Sequence, residues 1–166
     1  MGDTRHYYDI AVVGYGEKAY SGWQGELEGR KFVSPEGLKN HPYTKIVTRK
    51  EVRTRSGVQV KEVEQVQWVS ARHDGHWTHY HEAFEYARDL LADWMIDHHE
   101  KDCYPPTVIH ITDGVFNHAP KEDVVQKANE LKSMFTNDGN VILFNIHFTA
   151  DPEAQSIVCP IEKSEL

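Results

Sequence analysis

Two runs leave little freedom in how this chain folds: residues 107–112, Thr-Val-Ile-His-Ile-Thr, and residues 141–148, Val-Ile-Leu-Phe-Asn-Ile-His-Phe. Each is short, mostly β-branched or aromatic, and bounded by turn residues, Asp113-Gly114 after the first and Asn137-Asp138-Gly139-Asn140 before the second. A continuous apolar run of this length is the pattern of a strand buried on both faces, as in a parallel sheet. Between them Pro120 opens a segment with Lys121, Glu122 and Asp123 in its first turn and Val124, Ala128, Leu131 and Phe135 on one face. Proline is suited to a first helical turn, and that spacing is helical. Strand, helix and strand in this order imply two parallel strands joined by a crossover.

A longer helix precedes this unit. Tyr80, Ala83, Phe84, Ala87, Leu90, Leu91 and Trp94 recur at three- and four-residue steps, so residues 79–99 read as an amphipathic helix, with Thr78 as its N-cap. The expected class is therefore α/β: an open, mostly parallel sheet flanked by helices.

The N-terminal half is less regular. Residues 8–13 form an apolar run closed by Gly14-Tyr15-Gly16 and read as a buried strand. Residues 17–42 read as a long loop with a helical turn near 35–38. Residues 45–52 and 58–69 are Val- and Thr-rich arms around a Ser56-Gly57 turn, which predicts an antiparallel hairpin. In its second arm Val58, Val60, Val66 and Trp68 alternate with Gln59, Lys61, Gln65 and Gln67, the pattern of a half-exposed strand at a sheet edge. The tail beyond residue 150 has one short apolar run at 157–159, and the whole chain, 1–166, reads as a single domain.

Charge narrows the function classes. A net charge of -8, with no block of Lys and Arg, opposes binding to nucleic acid and to anionic membranes. No apolar run reaches the roughly 20 residues that cross a bilayer, and no apolar signal-peptide core follows Met1, so a cytoplasmic location is expected. Cys103 and Cys159 have no Cys-x-x-Cys spacing and read as reduced cysteines.

Ligands of open parallel sheets bind beyond the carboxyl ends of the strands, where Asp113 stands. Eleven histidines are present, and His73, His76, His79 and His81 crowd one segment beside Thr78. Imidazole is a common zinc ligand, but the spacing matches no standard zinc motif, and His79 and His81 should diverge if both lie on the helix. His110 and His147 fall inside strands and read as hydrogen-bonded core histidines, a catalytic pair being the alternative. No Gly-x-Ser-x-Gly elbow occurs, and Gly14-Tyr15-Gly16 lacks the third glycine of a nucleotide-binding loop. Trp23 and Trp77 read either as exposed contact anchors or as loop residues folded onto their own core.

The string Ile109-His110-Ile111-Thr112-Asp113-Gly114, preceded by an amphipathic helix and Pro105-Pro106, resembles the strand-and-loop signature of von Willebrand factor A domains, in particular their bacterial intracellular branch. Residues 8–16 resemble that branch's second strand, and residues 137–145 the strand after its metal-site loop. The resemblance implies a Rossmann-like sheet and a metal-ion-dependent adhesion site with Asp113 and Thr78 as two of its parts. It also implies Mg²⁺ as the ion, and a protein partner that completes the coordination with an acidic residue.

The chain departs from the pattern in lacking any Asp-x-Ser-x-Ser loop, and it reads Gly75-His76-Trp77-Thr78-His79 where the branch has Gly-Gly-Thr-Pro. The family's first strand and terminal helix have no counterpart, so Mg²⁺ should bind weakly unless that loop is supplied in trans. A missing central strand also leaves sheet edges unpaired, which predicts a homo- or hetero-oligomer. The expected function is a noncatalytic intracellular interaction module whose partner surface includes Trp77, Gly114 and Asn117. The alternatives are a metal-dependent hydrolase using Asp113 with His73, His76, His79 and His81, and a structural subunit of a split assembly.

Overall fold

A computed structural model describes residues 6–55, 57–70, 78–99, 102–113, 119–149 and 151–153. In chain order these form β1 (Val13–Tyr15), β2 (Ala19–Ser21), a 3-10 turn at Gly25–Leu27, α1 (Pro35–Asn40), β3 (Thr44–Thr54) and β4 (Gly57–Gln67). There follow α2 (Tyr80–His98), β5 (Thr107–Thr112), α3 (Lys121–Ser133), β6 (Phe135–Thr136), β7 (Gly139–Asn140) and β8 (Ile142–His147). The architecture is mixed α/β, and its strands pair two by two: β1 with β2, β3 with β4, β6 with β7, and β5 with β8.

The β5–α3–β8 unit has the topology its sequence demands. The two strands are parallel, with His110 opposite Asn145 and Thr112 opposite His147. Leu131 of α3 is fully buried in a cluster with Tyr80, Phe84 and Leu91 of α2 and with Val141, against which Val108 and Leu143 pack from the sheet. Burying side chains of this size is worth about 1.5–3 kcal/mol each, which makes this cluster the main adhesive of the C-terminal half. Arg88 and Lys127, paired with Glu130 and Glu85, rim the α2–α3 contact.

The expectation of burial on both faces fails for β5 and β8. Because side chains alternate along a strand, the even-numbered residues of β5 and odd-numbered residues of β8 turn toward the helices, and the others turn away. On that second face Ile109, Ile111, Ile142, Phe144 and Ile146, continued by Phe148, are between 41% and 63% exposed. Nothing among the described residues covers them. Phe135, expected on the inner face of α3, is 71% exposed because the helix ends at Ser133 and the residue enters β6.

Residues 8–13 correct the reading of a buried strand. They form one isolated antiparallel bridge, Ile10 to Val33, and β1 begins only at Val13. Neither segment joins the β5–β8 sheet among the described residues, so the likeness of residues 8–16 to a strand of that sheet finds no counterpart in the pairing. Gly14 lies within β1 rather than closing a strand. It sits opposite Tyr20, and a Cβ there would meet the tyrosine ring at 2.5 Å, so glycine is what lets the ring lie across the strand.

Residues 17–42 hold more structure than a loop. Ser34 caps α1 by accepting from the Gly37 amide, with Pro35 at the first position. Trp23, Leu27 and Val33 form a second buried cluster against which Ile10, Val12, Leu38 and Trp68 pack, and Trp68 Nε1 donates to the Leu38 carbonyl at 2.6 Å. Trp23 is thus a core residue, not a contact anchor.

The antiparallel hairpin is present as expected, with Thr54 opposite Gly57 and Thr44 opposite Gln67, so that Gly57 opens the second strand rather than lying in the turn. It is a separate two-stranded arm, however, not the edge of the parallel sheet. Val58 and Val60 are exposed on it; only toward its base do Val63, Val66 and then Trp68 become partly covered. No helix among the described residues is long and apolar enough to cross a membrane.

Candidate functional site

The carboxyl end of β5 is where the start of α2 and the β1–β2 turn meet the parallel strands. The His79 amide donates to the Gly16 carbonyl at 3.1 Å, pinning the start of α2 to the β1–β2 turn. The Tyr80 and Thr112 hydroxyls hydrogen-bond to each other, closing the same end of α2 onto β5. Thr78 and Asp113 therefore flank one contact, two residues before Tyr80 and one after Thr112.

Beneath this end lies a polar core. His110 is 8% exposed and is ringed by Tyr15, Tyr80 and Phe84 at centroid distances of 5.6, 4.8 and 5.0 Å. Its Nδ1–H donates to Asn145 Oδ1 at 2.8 Å, which leaves Nε2 as an acceptor. The Tyr15 hydroxyl stands 2.9 Å from that Nε2 and 2.9 Å from the Ile111 carbonyl, one proton facing two acceptors. Burial holds His110 below the usual histidine range, against the pull of its Asn145 hydrogen bond, so the ring is neutral near pH 7. Burial, followed by Tyr80 and, past an opposing Thr112 hydroxyl, the Asp113 charge, pushes Tyr15 up to about 12. Both groups are fixed in their neutral forms, which suits a structural hydrogen-bond network better than proton transfer near pH 7.

The two strand histidines do not lie directly opposite each other, and each has its own hydrogen-bond partner. The register places His147 opposite Thr112 rather than His110, and its Nε2 donates to the Asp113 carbonyl at 2.9 Å. His147 thereby ties down the backbone of the residue that begins the loop.

Thr78 is not the N-cap of α2. That position belongs to His79, which makes no side-chain capping bond. Thr78 and Asp113 can offer one hydroxyl and one carboxylate, whereas Mg²⁺ prefers six oxygens in near-octahedral array. The described residues do not fit that ion by themselves. Of the histidine group, His79 and His81 are placed and lie together; His73 and His76 fall outside the described residues, as do Trp77, Gly114 and Asn117. The ring centroids of His79 and His81 are 5.4 Å apart, contrary to the expected divergence, because His79 sits before the helix with φ −99° and ψ 86°. Glu82 joins them, a participant that sequence spacing did not single out.

No family model, curated protein or solved structure matches this chain. Fold and site thus define a class no narrower than a mixed α/β protein with a parallel strand pair and a polar strand end.

Proposed function

We propose that this chain is a noncatalytic intracellular protein-interaction module of the von Willebrand factor A type, in which β5 and β8 belong to an open Rossmann-like sheet completed by association. Its partner surface runs from the loop end at Asp113 and Thr78 onto the bare side of β5 and β8. The observation that carries this reading is that side, uncovered among the described residues: six large apolar side chains on one face of a parallel pair, a kind of sheet normally covered on both faces.

The energetics say what such a partner must do. Covering the remaining exposed half of each side chain gains on the order of 1 kcal/mol, or about 6 kcal/mol for the six. Association costs an estimated 4–15 kcal/mol in lost freedom, a range that contains this gain, so the face alone leaves little or no surplus. A partner that also adds a strand to an edge of β5 or β8 left unpaired among the described residues would supply the surplus a stable complex needs.

The test is light-scattering mass together with binding of a hydrophobic dye, for the wild-type chain and Phe144→Lys. A doubled mass that Phe144→Lys returns to 19.2 kDa, or a monomer whose dye binding Phe144→Lys removes, supports an available face. A wild-type monomer that binds no dye would mean that the chain covers this face itself, and the reading would be wrong.

A further inference from the structure

The start of α2 carries donors that the interaction reading does not use. His79, His81 and Glu82 each place one ligand atom within 4.8 Å of the others. The cause lies in the backbone. Residues two apart on a helix diverge by about 200°, but His79 precedes the first helical residue, and its non-helical dihedrals place its ring beside that of His81. His79 Nδ1 stands 3.8 Å from Glu82 Oε1, too far for a hydrogen bond and close enough to share an ion. His81 Nδ1 is a buried atom that meets no hydrogen-bond partner among the described residues. A buried polar atom of this kind is ordinarily satisfied, and a bound ion would satisfy it.

We infer that His79, His81 and Glu82 form a binding site for a divalent transition-metal ion, with Zn²⁺ the best fit. Two imidazoles and one carboxylate are a zinc donor set, and imidazole disfavours Ca²⁺ and Mg²⁺, which take oxygen ligands. Zinc bonds of about 2.0–2.1 Å in a tetrahedron space the donors about 3.4 Å apart. A spread of 4.8 Å therefore closes by about 1.4 Å, within the reach of side-chain rotations. The positive end of the α2 dipole opposes a cation by about 0.3–1 kcal/mol, a small term that the Glu82 charge offsets. Three protein ligands leave a fourth position for water or a carboxylate from outside. The site lies at the end of β5 that Tyr80 ties to α2, where open-sheet proteins place their ligands. It does not depend on the interaction reading.

The probe is the metal itself. Titration of the metal-stripped chain with Zn²⁺ by calorimetry, and with Co²⁺ by visible absorption, should give one equivalent per chain and the intense bands of tetrahedral Co²⁺. His81→Ala and Glu82→Gln should each weaken binding by at least the about 10- to 100-fold that loss of a supporting group costs. His99→Ala, exposed at the far end of α2, should leave binding unchanged. Far-UV circular dichroism without metal checks that each variant folds, and His81→Asn replaces His81→Ala if the alanine variant does not. Unchanged Zn²⁺ affinity in a folded His79→Ala/His81→Ala double variant would overturn the site, as would the absence of any binding at micromolar Zn²⁺.

Discussion

Tyr15→Phe removes one hydroxyl and nothing else of the side chain, which makes it the cleanest probe of the polar core. That hydroxyl faces two acceptors, His110 Nε2 and the Ile111 carbonyl. The two losses differ in size. Ile111 is 55% exposed, so water can replace the tyrosine at its carbonyl at little cost. His110 is 8% exposed and lies under three aromatic rings, so its Nε2 is left without a donor, a penalty of about 1–3 kcal/mol. Taking about 2 kcal/mol, a chain of this length should melt about 4–8 °C lower. Urea unfolding followed by tryptophan fluorescence should show a lower midpoint with an unchanged slope. The double variant Tyr15→Phe/His110→Phe removes both partners and should lose less than the sum of the singles, a coupling of about 0.5–3 kcal/mol. A single-variant cost below about 0.5 kcal/mol, or strict additivity, would refute the claim that this hydrogen bond is buried and needed.

Two further outcomes test other parts of the fold. Leu131→Ala, at a fully buried position, should cost about 2–5 kcal/mol in urea unfolding, and a loss under about 1 kcal/mol would mean that α3 is not packed as described. Asp9 is pushed up by burial but pulled further down by hydrogen bonds from Trp94 and His6 and by the His6 and His98 charges, so its pKa lies below the ordinary 3.8. The unfolded chain therefore takes up that proton first as pH falls. The stability this carboxylate supplies is complete above about pH 5 and is lost as pH falls through the lowered folded-state value. Asp9→Asn should flatten the acid limb of a melting-temperature profile, and an unaltered limb would count against the pairing.

The elements that the sequence reveals are those whose evidence is local. Helical spacing from Tyr80 to Trp94 and the β-branched run at residues 107–112 each specify an element within about one residue of its bounds. What pairs with what is a non-local matter. Residues 8–13 have the composition of a strand, yet Ile10 and Val12 serve a cluster around Trp23 rather than a sheet. Burial misleads for the same reason: Ile109 and Phe144 look like interior residues because composition records affinity for cover, not whether cover is present. At the site, Asp113 at a strand end is legible, while the approach of His79 to His81 rests on the dihedral angles of one residue at a helix boundary, where sequence spacing carries least information. Glu82 three residues after His79 is the signal that was there to be read.

The β3–β4 arm has a hydrodynamic consequence. Eleven residues per strand, at about 3.4 Å each, make a rod of roughly 37 Å, while a folded chain of 166 residues has a radius of gyration near 15 Å. The arm is thus about as long as the body is wide, and it drags through solvent as the molecule tumbles. At a given mass an extended shape meets more friction than a compact one, so the monomer should elute early from a sizing column and mimic a larger species. The arm also sweeps out volume well beyond the body, which widens the zone in which a first encounter with another molecule can occur.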